Sequence, residues 1–124
     1  MNKTIERFPS PLPVPFSKAV RAGGFLFLSG QLALEADGSV TPGDVTVQAR
    51  VILERIKATL EELGSGMQDV VRATIWLADL NDFNAFNGEY AKHFPAGLPT
   101  RSCVQAPLYK GALVEIEVQA FVGA

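Results

Sequence analysis

Few side chains in this sequence can do chemistry. There is one histidine, His93, and one cysteine, Cys103. Arg101 stands just before that cysteine in Pro99-Thr100-Arg101-Ser102-Cys103-Val104, and farther along comes Leu113-Val114-Glu115-Ile116-Glu117. An arginine fork can pair its N–H donors with both oxygens of a planar carboxylate, and a glutamate can orient water. Taken alone, however, Arg101 reads as a strand-end surface arginine. His93 falls near a predicted helix C-terminus and has no evident orienting partner, so it reads as a surface residue. Cys103 reads as a small buried hydrophobe, since no His-based dyad is evident. Gly64-Ser65-Gly66 follows a helix pattern and precedes no Lys-Ser/Thr, so it is a loop and not a phosphate cradle.

Composition narrows the field further. The chain has 124 residues and 13.3 kDa, which predicts one domain over 1–124. Eleven Lys and Arg against thirteen Asp and Glu give a net charge of −2. No basic field suited to nucleic acid results. One cysteine excludes an internal disulfide framework, and one Cys with one His cannot complete a tetrahedral Cys/His zinc site. The longest apolar run, Phe25 to Leu28, is far short of a membrane span. Met1 to Ser10 carries charges and Pro where a signal peptide needs apolar residues, so the expected location is the cytoplasm. Charged residues make up 19%, where about 25% is usual. A small domain should need more charge than average, so part of this surface is expected to be covered by other copies of the chain.

The elements that must position these residues are legible from periodicity. Pro9 to Pro15 is an extended lead-in that cannot be helix. Strands are predicted around Lys18 to Ala22 and from Phe25 to Leu32, with Gly23-Gly24 as the turn. Phe25 to Leu28 has no alternation, so both of its faces are expected to be covered. Asp44 is the N-cap of a helix whose stripe is Val45, Ala49, Ile52, Ile56, Leu60 and Leu63, ended by Gly64. Val70 to Leu77 is a strand, and Asp82 to Phe94 a second helix with Phe83, Phe86, Tyr90 and Phe94 on one side. Thr100 to Val104 and Ala112 to Val122 are the last strands, the latter with Val114, Ile116 and Val118 on one face and Glu115, Glu117 and Gln119 on the other. The order is β-β-α-β-α-β-β, an α+β sandwich of two layers. Two helices cover one sheet face, so the face with Glu115 and Glu117 must meet water or a partner subunit.

With these elements in place, the motif set resembles the RidA/YjgF family of enamine/imine deaminases. That family is also described as perchloric-acid-soluble ribonuclease or translation inhibitor. Pro-Thr-Arg-Ser-Cys-Val followed by Val-Glu-Ile-Glu-Val is similar to its signature, Phe27-Leu28-Ser29-Gly30-Gln31 to its second-strand Ser-Gly-Gln, and Asp79-Leu80-Asn81-Asp82-Phe83 with Asn87 and Tyr90 to its second-helix entry. The resemblance runs from about Pro15 to Val122.

The resemblance implies a chorismate-mutase-like fold and a homotrimer with a site in each cleft between subunits. It implies hydrolysis of 2-imino acids and their 2-aminoacrylate enamine precursors, releasing ammonia and a 2-oxo acid, with no metal or organic cofactor. By carry-over, Arg101 binds the substrate carboxylate, Glu115 orients the water and Ser29 helps hold substrate or water. Cys103 stands where the family uses main-chain groups near the imine nitrogen, its side chain being secondary, and Asn87 is a structural or cleft-lining residue. One position departs: Phe16, after Pro15, stands where deaminases of this family carry tyrosine. The ring remains and the hydroxyl is lost, which implies a slower enzyme or other imines, with Ser17 as a partial substitute. The alternative is a non-catalytic trimer that binds small carboxylates. A ribonuclease is opposed by the acidic balance and the single, unpartnered His93.

Overall fold

Two helices lie against one face of a seven-stranded sheet in the computed structural model, which describes residues 3–123. The strands are β1 (Ile5–Pro9), β2 (Ser17–Ala22), β3 (Phe25–Leu28), β4 (Gln31–Leu32), β5 (Val70–Leu77), β6 (Thr100–Gln105) and β7 (Val114–Phe121). The helices are α1 (Val45–Glu62) and α2 (Phe83–Ala91). The sheet order is β1-β2-β3-β7-β5-β6, with β4 also pairing β7. Only β5 and β6, joined through α2, run parallel.

Local chemistry accounts for the boundaries. The Asp44 carboxylate accepts from Val47 N–H at 3.1 Å, which caps α1, and Gly64 takes φ +82° just beyond its end. The α1 stripe Ala49, Ile52, Ile56 and Leu60 is fully buried against Leu26, Ile75, Leu77, Val114, Ile116 and Val118 of the sheet. α2 is shorter than its aromatic stripe suggested. It ends at Ala91, yet Phe94 still folds back into the core.

Three expectations are corrected. β1 was not foreseen. Its charged residues break any apolar alternation, and it holds as an edge strand by backbone pairing to β2 with Phe8 packed on the core. The predicted strand Phe25 to Leu32 is split at Ser29-Gly30 into β3 and β4. Phe25 and Phe27 are not covered on both faces, since Leu26 and Leu28 enter the core while Phe27 stays 39% exposed on the other side.

The sheet face away from the helices is therefore open. It carries Val20, Phe25, Phe27, Phe121, Thr74, Trp76, Glu115, Glu117 and Gln119, as strand pairing and alternation require. The surface is 7161 Å², against roughly 6,500 Å² expected for a folded chain of this mass. Among the described residues no helix is long and apolar enough to cross a membrane.

Candidate active site

Arg101 projects from β6 toward the helices, because its paired neighbour Ala73 belongs to the core. Its guanidinium meets the aromatic stripe of α2. Arg101 Cζ lies 5.0 Å from the Tyr90 ring centre, 5.4 Å from that of Phe83 and 5.7 Å from that of Phe86. At these distances the rings attract the cation electrostatically. Ion pairs among the described residues engage Lys18, Arg21, Arg50, Lys92 and His93, and arginine side chains donate hydrogen bonds at Arg21, Arg50 and Arg72. Arg101 has neither. It is a half-buried cation, held in place, with its donors uncommitted.

Its surroundings are unusually short of hydrogen bonds. Asn87 Oδ1 and the Tyr90 hydroxyl, on the same side of α2, are buried without a partner in the chain. Burial pushes the Tyr90 hydroxyl up to about 12, against an opposing pull from Arg101, so it stays protonated. Burial likewise raises the Cys103 thiol, with Arg101 again opposing. A protonated, half-buried thiol is no nucleophile at neutral pH.

Glu115 belongs to the opposite sheet face. Its strand neighbours are Trp76 on β5 and Leu32 on β4. The break between β3 and β4 wraps its carboxylate: a Cβ on Gly30 would overlap Glu115 Oε2. Glycine here allows the carboxylate its close approach, and any larger residue would push it aside; the backbone angles do not call for glycine. Burial raises the Glu115 carboxyl above the ordinary range, and the like charge of Glu117 adds to this. Beside Gly30, the Ser29 hydroxyl donates to Ser17 O at 2.7 Å. Ser17, Ser29, Phe27, Glu117 and Gln119 line an open groove of about 320 Å³. Glu117, not Glu115, forms its wall.

The residues singled out from the sequence thus fall into two groups. Arg101, Cys103 and Asn87 share the edge formed by β6 and α2, whereas Ser29 and Glu115 share the open face. Phe16 leads into β2 beside Ser17 and is 55% exposed. Two strand spacings and three residues of register separate Arg101 from Glu115, about 14 Å of backbone, with the side chains on opposite faces. One copy of the chain does not bring them together. His93 is accounted for structurally, with its Nε2 2.7 Å from Glu89 Oε2, and Glu89 is also held by Arg50 at 3.1 Å. Among the described residues no cluster of His, Cys, Asp or Glu could hold a metal. The aromatic clamp on Arg101 and the Gly30 contact were not anticipated. The first hides in what looks like a core stripe, and the second spans residues distant in sequence.

This fold, two helices over one sheet face, is shared with known proteins. The family model described as Endoribonuclease L-PSP matches residues 9–122. A RutC family protein of Pyrococcus horikoshii is 41% identical over 124 residues, covering 98% of each chain. A goat protein named 2-iminobutanoate/2-iminopropanoate deaminase is 40% identical over 111 residues, covering 88% of this chain and 81% of that one. The crystal structure of RidA from an Antarctic Psychrobacter matches with a TM-score of 0.83 at 32% identity, covering 94% of each chain. The chain belongs to the L-PSP family, whose members also carry the names RutC, YjgF and Rid.

Proposed function

We propose that this chain is a 2-imino-acid deaminase whose site is completed by a second copy in a homotrimer. The observation that carries this reading is Arg101, a guanidinium stacked on three rings with no acidic partner among the described residues. Three rings lie against it and its N–H donors are uncommitted, which suits a planar carboxylate with two oxygens. Glu115 supplies the complementary chemistry, and its raised carboxyl makes it a better proton acceptor than an ordinary glutamate. Because the two lie on opposite faces, the edge of one copy must meet the open face of another. The number three follows the family resemblance, and the low charge fraction and uncovered sheet face support association. The goat deaminase at 40% identity supports the reaction class.

In this reading Arg101 holds the substrate carboxylate and Glu115 takes a proton from water as its oxygen bonds to the imine carbon. The C=N double bond becomes single, giving a carbinolamine. Return of the proton to nitrogen lets the C–N bond break; as the carbon–oxygen double bond forms, Glu115 takes the hydroxyl proton and passes it to the departing ammonia, which leaves as ammonium. A 2-oxo acid remains. Protonated imine plus water gives ammonium and 2-oxo acid, so no redox partner is needed. The iminium is already an activated electrophile, so the residues described suffice without a metal or organic cofactor. The carboxylate-binding reading without turnover is favoured by one feature, the missing hydroxyl at Phe16.

The experiment generates iminobutyrate with an amino-acid oxidase and follows semicarbazide trapping. A deaminase lowers trapping in proportion to its concentration, and light scattering reports three copies. Unchanged trapping with intact carboxylate binding would leave a binding protein instead. A monomer at micromolar concentration would remove the shared site.

A further inference from the structure

We propose that Gln48, buried on α1 and far in sequence from the site, is the positioning residue for Glu115. Both ends of its side-chain amide are bonded. Nε2 donates to Thr41 O at 3.2 Å, and Oε1 accepts from Leu113 N–H at 3.0 Å. Gln48 is only 3% exposed, so water does not compete for either bond.

What these bonds tie together is specific. Leu113 directly precedes β7 and lies two residues before Glu115. Thr41 N–H donates to Ala33 O at 2.8 Å, and Ala33 follows Leu32, the partner of Glu115 in the β4–β7 ladder. The connections close a ring from Glu115 across to Leu32, along to Ala33, over to Thr41, through the Gln48 amide to Leu113, and back along β7. β4 is only two residues long, too short to hold its register by its own pairing. A slip there would move Gly30 away from the Glu115 carboxylate that it contacts. Gln48 closes the ring that prevents the slip. It touches neither the open face nor any reacting atom, so its effect passes through the backbone.

Through Glu115 this inference rests on the deaminase reading, but its first test does not. Native-state amide exchange on Gln48→Met, which keeps the side chain's length and removes both bonds, should show Leu113 and the β4–β7 amides losing at least tenfold protection. The β5–β7 amides should remain protected. In turnover, kcat for iminobutyrate should fall about tenfold while acetate affinity at Arg101 stays within twofold. If Gln48→Met does not fold, Gln48→Glu is the second variant: ionised, it keeps the acceptor for Leu113 and loses the donor to Thr41, so the β4–β7 amides should lose protection and kcat should fall while the Leu113 amide stays slow. In the unaltered protein the Leu113 amide must itself be slow to exchange. A fast Leu113 amide, uniform loss of protection across both ladders, or local loss with unchanged kcat would overturn the assignment. Local loss of protection in a protein that never hydrolyses imine would uphold the staple and sink the deaminase reading instead.

Discussion

Replacing Arg101 tests the site at its most exposed assumption, that the free fork is there for a carboxylate. Arg101→Ala removes a charge-assisted pair that contributes about 1.5–3 kcal/mol, or roughly 10- to 150-fold in affinity. Arg101→Lys separates charge from geometry. Lysine restores the positive charge but cannot present two parallel donors. It also stacks less well on Phe83, Phe86 and Tyr90, whose ring centres lie 5.0–5.7 Å from Arg101 Cζ. Affinity for pyruvate or acetate should therefore recover only in part, by less than half of the lost free energy. Phe83→Leu isolates the stacking at its most solvent-exposed ring and should weaken binding by about 0.5–1 kcal/mol, two- to fivefold. Isothermal calorimetry of the four proteins gives the ordering wild type, Phe83→Leu, Arg101→Lys, Arg101→Ala. Equal binding by wild type and Arg101→Ala would refute the reasoning. Full recovery in Arg101→Lys would refute the fork.

Glu115→Gln should keep carboxylate binding and lower imine hydrolysis by about 10²-fold or more, whereas Glu117→Gln should spare turnover. Parallel turnover and mass measurements decide between them, and inactivity of Glu117→Gln alone would reverse the assignment. Gly30→Ala should mimic Glu115→Gln in rate without loss of acetate binding, since its Cβ occupies the space of the Glu115 carboxylate. Stability should depend on Glu89, which Arg50 and His93 hold at about 2 against the cost of burial. The folded value lies below the unfolded one, so this stabilisation is complete above about pH 4.5 and is lost as pH falls toward 2. Glu89→Gln should flatten that part of a pH series of urea midpoints.

Much of the fold was legible because apolar periodicity reports burial directly. The stripe from Val45 to Leu63 predicted α1 with its cap, and the alternation in β7 separated Glu115 from Ile116 correctly. What failed was held by backbone pairing. β1 has no apolar alternation to reveal it, and the break at Ser29-Gly30 lies within a run that reads as one strand. Of the proposed site, the sequence offers residue types and no geometry. Phe83, Phe86 and Tyr90 recur as a core stripe does, and only the structure reveals Arg101 lying against it. Nothing in the spacing of Gly30 and Glu115 announces their contact, because β4 and β7 meet only in the folded sheet.

The opposite placement of Arg101 and Glu115 gives the low charge content a physical meaning. Each half carries a feature that is unfavourable in a lone chain: on one side a half-buried cation beside unpaired Asn87 and Tyr90 atoms, on the other a carboxyl raised by burial. In a single copy these features are unconnected, and Phe25, Phe27 and Phe121, on the open face toward β3, pack only on one another and meet water. Bringing the β6 edge of one copy against the open face of the next addresses all three at once. In the proposed assembly this contact would cover the phenylalanines, enclose the guanidinium, and bring the raised carboxyl to where a bound imine offers an electrophilic carbon. Association and activity would then depend on the same surface, so a substitution that charges Phe27 should weaken both together, even though Phe27 need never touch substrate.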